Sequence, residues 1–195
     1  RNGGMVIPEL KVGPAALEAK YGELGRRLFQ AVNDAFDQVE ALVAEGSIDC
    51  GYERTGQLYL AHHPRVVEHL RHEADEMNAA GQPARFVPAD ELGEEIGSDQ
   101  YFGGLVLERT GGLQPAAFHQ GLERLAADAG ASLHAHTAVD AVARRGAGFE
   151  VRTDRGTVAA GQVIVATNAY ADGLLPAVRR RVLPVGSYII ATEPL

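Results

Sequence analysis

Glycine and proline punctuation constrains this chain more than any other feature: 23 Gly and 9 Pro divide 195 residues into short elements and fix where each can begin and end. Between those breaks, Leu24, Leu28, Val32, Phe36, Val39 and Val43 recur at three- and four-residue steps. They therefore share one stripe of a long helix, and Gly46 follows where a left-handed cap is wanted. Upstream, the stretch from Pro14 contains Gly22 and Gly25. Each costs about 1 kcal/mol against alanine in a helix interior, which predicts a break or a separate short helix. Gln57 to Ala61 suits a strand, and Pro64 opens a second helix with Val67, Leu70, Ala74 and Met77 on its apolar side, ending at Gly81. Arg85-Phe86-Val87 reads as extended, Asp90-Glu91-Leu92 as a short acidic helical turn, and Gly103 to Leu107 as another strand that Gly111-Gly112 closes.

Pro115 starts a third helix carrying Phe118, Leu122, Leu125, Ala126 and Ala129, with Gly130 after it. Leu133 to Thr137 then reads as a strand. Val139 to Ala143, Phe149 to Thr153 and Thr157 to Ala159 are short β-type runs, and Asp154-Arg155-Gly156 supplies the turn between the last two, so a small antiparallel meander is expected. Val163-Ile164-Val165-Ala166 lacks polar alternation, which predicts a strand covered on both faces. It runs into Thr167-Asn168-Ala169-Tyr170, the kind of place beyond a strand where ligands collect in α/β sheets. The pattern as a whole predicts a mixed α/β (α+β) fold with no internal repeat.

Composition removes several function classes. With 46% hydrophobic residues the chain can bury a sizeable core, and 18 basic against 26 acidic residues, a formal charge of -8, disfavour nucleic acid as a partner. The single cysteine, Cys50, permits no internal disulfide and no cysteine-based zinc site. No apolar stretch approaches the length of a membrane span, and Arg1 to Met5 lack the layout of a signal peptide, so a cytoplasmic protein is expected.

The chain carries no GxSxG, no GxxxxGK[ST] and no HExxH. His134 and His136 would share one face of a strand and could ligate a metal, but a solvated strand face is the plainer reading. His62, His63, His69 and His72 read as surface residues, Cys50 as an inert thiol, and Arg179-Arg180-Arg181 as a solvated cluster unless an anionic partner meets it. Tyr52, Tyr59 and Tyr188 could line a pocket, although packing residues with hydroxyls at the rim suit them better. At the other end, Arg1-Asn2-Gly3-Gly4-Met5 combines two donors with two adjacent glycines that let the backbone approach a flat or charged group.

In order and spacing, Arg1-Asn2-Gly3-Gly4, Gly111-Gly112-Leu113-Gln114-Pro115, Ala166-Thr167-Asn168-Ala169-Tyr170 and Ala191-Thr192-Glu193-Pro194-Leu195 resemble the D-amino-acid-oxidase-like family of FAD-dependent oxidoreductases, most of all its gamma-glutamylputrescine oxidoreductase branch. The resemblance implies a partial FAD-binding domain with a small β-meander (1–50 and 111–172). Beside it would lie part of an antiparallel substrate-domain sheet (51–110 and 173–195). It also implies FAD as cofactor, with Arg1, Asn2, Gly3, Gly4 and Met5 along the pyrophosphate and flavin ring, Val139 meeting the adenine through its backbone, and Ala166, Thr167 and Asn168 beside the phosphates.

Members of that family open with a βαβ unit bearing GxGxxG and an acidic ribose ligand, which this sequence does not contain. The chain is therefore expected to be an internal portion of a flavoenzyme that oxidises a small amine or amino acid by hydride transfer. On its own it would hold FAD weakly or not at all, stay inactive, and self-associate through bare apolar surface. The competing readings are a folded, non-catalytic remnant that acts in assembly, or a flavin-dependent 2-hydroxy acid or polyol phosphate dehydrogenase.

Overall fold

The computed structural model describes residues 2–168, 170, 174, 179–183 and 185–186. Contacts divide the chain into two units, Arg1–Ala131 and Ser132–Leu195. The first contains a three-stranded antiparallel sheet of β2 (Gln57–Leu60), β3 (Ala84–Pro88) and β4 (Gly103–Leu107), with β4 in the middle. Every residue of β4 is buried, because side chains alternate between two covered faces. On one face Tyr59, Leu105, Leu107 and Ala84 pack with Leu70 and Ala74 of helix α3 (Pro64–Ala79). On the other, Leu58, Val106 and Val87 pack with Leu92 and Tyr101.

Helix α3 starts as its sequence predicts. Pro64 occupies the first turn, and the His63 ring nitrogen accepts a hydrogen bond from the Arg65 amide at 3.1 Å. Near its end the Asn78 carboxamide uses both functions on one residue: Nδ2 donates to the Ala84 carbonyl at 2.7 Å and Oδ1 accepts from the Ala84 amide at 3.1 Å. That pair staples the helix to β3.

The break expected near Gly22 separates α1 (Pro14–Tyr21) from α2 (Glu23–Glu45), with Gly22 at φ +57. Gly25 has a different task. It is buried where α2 crosses α1, and a Cβ there would lie 2.1 Å from the Leu17 carbonyl oxygen. Gly46 does not take the left-handed conformation expected of it; its φ is -78, and Ser47 turns the chain at φ +46. The site is crowded instead: a Cβ would lie 2.6 Å from the Leu42 carbonyl oxygen and 2.6 Å from a methyl of Leu125 of helix α4 (Pro115–Asp128). Arg124 of α4 donates to the Gly46 carbonyl at 2.7 Å and so closes the end of α2.

In the second unit, β6 (Val139–Arg145), β7 (Gly148–Thr153) and β8 (Gly156–Ala160) form the antiparallel meander. Two strand expectations fail beside it. Leu133 to Thr137 is irregular and turns at His136, whose φ of +52 no ladder accommodates, so His134 and His136 do not share a strand face. Val163 to Ala166 joins no sheet, and Ile164 is 91% exposed. A uniformly apolar run needs a strand on each side and cover on both faces, and the described residues supply neither.

Gly25→Ala is expected to lower stability by about 1–3 kcal/mol, because the added methyl forces α1 and α2 apart. Urea unfolding of the two proteins side by side measures the loss.

Candidate functional site

The glycine-rich opening segment is held by backbone pairing and by one side-chain hydrogen bond. β1 (Met5–Val6) pairs antiparallel with β5 (Gly111–Gly112), Met5 opposite Gly112. The Leu113 amide donates to the Gly4 carbonyl at 2.8 Å, and the Asn2 side-chain oxygen accepts from the Gly4 amide at 2.8 Å. Gly4 sits at φ +80, and a Cβ on it would lie 1.9 Å from the Leu113 carbonyl oxygen, so no other residue fits. The far side of β5 meets Glu53, which exchanges two backbone hydrogen bonds with Gly112 at 2.9 and 3.0 Å. Gly111 is equally confined, with the Glu53 carbonyl 2.7 Å from where a Cβ would stand.

Three passes of chain thus form a narrow ribbon whose outer edge is β1. Among the described residues no strand takes that edge, Gly3 is exposed and Met5 is 72% exposed. Beside it opens a cavity of about 490 Å³, walled by Asn2, Gly4 and Met5 on one side and by Leu28, Val32 and Val39 of α2 on the other. The stripe that defines α2 in the sequence therefore lines this cavity.

Behind the ribbon lies a polar cluster that no local pattern announces. The Tyr52 hydroxyl donates to Glu40 Oε1 at 2.6 Å, and Arg54 grips both oxygens of the same carboxylate. Arg109 donates to Asp37 at 2.5 Å and to the Asn33 carbonyl at 3.3 Å. Both guanidiniums lie over the buried Phe36 ring, at 5.3 and 5.1 Å. The hydrogen bonds from Arg54 hold the Glu40 carboxyl below its ordinary range. Burial, then the Glu40 hydrogen bond, push the Tyr52 phenol up to about 12. The Tyr59 phenol, which donates toward both oxygens of Glu9 at 3.1 Å, is likewise pushed up to about 12, again chiefly by burial.

Of the residues singled out from sequence, Asn2, Gly3, Gly4 and Met5 come together on the ribbon edge; Arg1, Ala169, Tyr188 and 191–195 lie outside the described residues. Val139 and Ala166 to Asn168 belong to the second unit. Val139, 42% exposed, lines a cleft of about 410 Å³ there, with Thr153, Arg155 and Gly156. Next to the cleft, the Asp154 side chain accepts from the Ala138 amide at 3.1 Å while the Asp154 amide donates to the Ala138 carbonyl at 3.1 Å. Asn168, at φ +54, sits in a turn closed by the Tyr170 amide on the Thr167 carbonyl at 3.0 Å.

The remaining candidates have structural partners. Cys50 is buried and its carbonyl accepts from Gln114 at 2.7 Å. His69 and His72 lie 3.9 and 3.4 Å from Glu73 and Glu76 one turn on. Among the described residues no group of three His, Cys, Asp or Glu converges as a metal site would require, and no helix is long and apolar enough to cross a membrane.

Within the first unit, the exposed Gly3 and the apolar wall beside it leave room for a flat cofactor group to approach the backbone. Comparisons with known proteins identify the family. The family model described as DAO, FAD dependent oxidoreductase, matches residues 1–195. A probable oxidoreductase OrdL of Haemophilus influenzae is 30% identical over 203 residues, covering 100% of this chain and 47% of its own. The gamma-glutamylputrescine oxidoreductase of Escherichia coli is 27% identical over 198 residues, covering 100% of this chain and 46% of its own. Among solved structures, glycine oxidase from Geobacillus kaustophilus superposes with a TM-score of 0.66 at 23% identity, covering 88% of this chain and 45% of that one. The chain spans about half the length of the curated relatives it matches.

The raised Tyr52 pKa gives a pH dependence of definite sign. A phenol held above its unfolded value contributes stability that is fully present below about pH 10 and disappears as pH rises through about 12. Tyr52→Phe is therefore expected to flatten the alkaline fall of folding stability in that window. Denaturant titrations from pH 9 upward, wild type against variant, measure the difference.

Proposed function

The chain belongs to the family of FAD-dependent oxidoreductases, and on that premise we propose that the protein it comes from oxidises a small amine or amino acid. The observation that carries this reading is the ribbon edge at Gly3, exposed beside an apolar cavity and fixed by the buried Gly4, whose contacts admit no side chain. The gamma-glutamylputrescine oxidoreductase relative and the glycine oxidase fold neighbour support a nitrogen-bearing substrate class.

In this reading residues 1–50 and 111–172 serve the cofactor, and 51–110 with 173–195 serve the substrate. Arg1 and Asn2 to Met5 run along the pyrophosphate and ring, Val139 presents its backbone to the adenine, and Ala166 to Asn168 turn beside the phosphates. Bound FAD supplies the acceptor for the hydride that leaves the carbon bearing nitrogen. The protein's part is to bind, orient and exclude water. Leu28, Val32 and Val39 give the cavity an apolar wall, and Glu40, through Tyr52, holds the ribbon against α2. No acid–base pair is needed for that division of labour.

The 195-residue chain by itself grips the cofactor weakly, since it has no GxGxxG, and it self-associates through exposed apolar side chains such as Leu24, Leu28 and Met5. Two measurements test these statements. The purified chain should be colourless and sediment as a mixture of assemblies; a yellow, monodisperse monomer refutes both points. The full-length protein should bleach on anaerobic addition of an amine or amino acid, and Gly4→Ala should lower its flavin retention about tenfold through backbone strain. Bleaching by a 2-hydroxy acid or polyol phosphate alone would reassign the substrate, and absence of bound flavin would leave an assembly role as the reading.

A further inference from the structure

In the first unit, away from the ribbon edge, a cleft of about 350 Å³ is lined by Arg54, Thr55, Arg85, Glu108 and Arg109 together with small and apolar residues. Three guanidiniums around one small cleft are unexpected in a chain of formal charge -8. They come from three places: the loop before β2, the β3 strand and the loop after β4. Each is fixed by an acid that does not itself line the cleft. Arg54 is held by Glu40, Arg85 by Glu95 at 2.6 Å, and Arg109 by Asp37 at 2.5 Å. The Phe36 ring adds a second anchor for Arg54 and Arg109.

These anchors use only part of each fork. Among the described residues Arg85 and Arg109 donate through Nη2, and Arg54 through Nε and Nη2. The Nη1 groups of all three remain for a ligand. A guanidinium held rigid from behind loses less side-chain entropy when it binds, and its planar N–H pairs match the oxygens of a carboxylate or phosphate. The three charges are balanced from behind by Glu40, Glu95 and Asp37, and Glu108 is the one carboxylate that lines the cleft beside them.

We propose that this cleft binds a small divalent oxyanion, with Arg54, Arg85 and Arg109 as its ligands. The site is built within the first unit and is independent of the flavin reading. Isothermal titration of the 195-residue chain at low ionic strength with inorganic phosphate, and separately with succinate, tests it. Saturable binding of at least one probe is expected, weakening as salt rises. Binding of phosphate alone identifies a phosphomonoester-type ligand, of succinate alone a dicarboxylate, and of both a site that reads charge only. Arg85→Gln should weaken binding about tenfold, and Glu108→Gln should tighten it severalfold. Both side chains are at the surface, so thermal unfolding of the variants should match wild type. The proposal is overturned if neither probe saturates, or if neither substitution moves the affinity in its stated direction.

Discussion

Backbone crowding at Gly4 and Gly111 is the constraint on which the rest of the first unit depends. A methyl at either position would strike a carbonyl oxygen of a neighbouring pass of chain, 1.9 Å away at Gly4 and 2.7 Å at Gly111. The three passes can close into a ribbon only because both residues lack a Cβ. Once closed, the ribbon ties the opening segment to the entry of β2 through Glu53 and to the start of α4 through Gln114, whose side chain accepts from the Ala117 amide at 2.7 Å. Loss of one contact is thus felt by several elements.

Helix α2 supports that ribbon with two chemically different faces. Its apolar stripe borders the cavity, while Asp37 and Glu40 reach the arginines on the other side of Phe36. Phe36 is only 3% exposed with two guanidiniums over its ring, and such planes are weakly hydrated and stack readily on aromatics. Glu40, which meets the ribbon through Tyr52, also holds Arg54, and Asp37 holds Arg109, so one helix borders the cavity and anchors two arginines of the cleft.

Much of the fold was legible because its signals are local. Pro14, Pro64 and Pro115 each open a helix, and the three- and four-residue spacing along α2 marks its apolar stripe. The two strands wrongly expected at Leu133 to Thr137 and Val163 to Ala166 show the limit: composition states that a segment can pair, and only a neighbour makes it pair. Gly46 is expected for conformation, yet what surrounds it is crowding, by the Leu42 carbonyl within its own helix end and by Leu125 almost eighty positions later. Signals for the candidate site are sparser. Gly3-Gly4 stands out in isolation, whereas Val139 is reached only through the family resemblance. The Tyr52, Glu40 and Arg54 cluster joins stretches with no common pattern and has no signature before folding. A polar residue flanking the apolar stripe of a long helix, as Glu40 does, is the one hint available.

The order of strand pairing bears on how such a chain comes together. β6, β7 and β8 are successive hairpins, Arg145 opposite Gly148 and Thr153 opposite Gly156, so each closes a very short loop. β1 and β5 instead join Met5 to Gly112 across most of the first unit. Contacts so distant in sequence carry the largest closure entropy and are favoured late on the folding route. The glycine edge is consequently a surface that exists only after the intervening sheet and helices have assembled, which makes it a built-in report of correct folding.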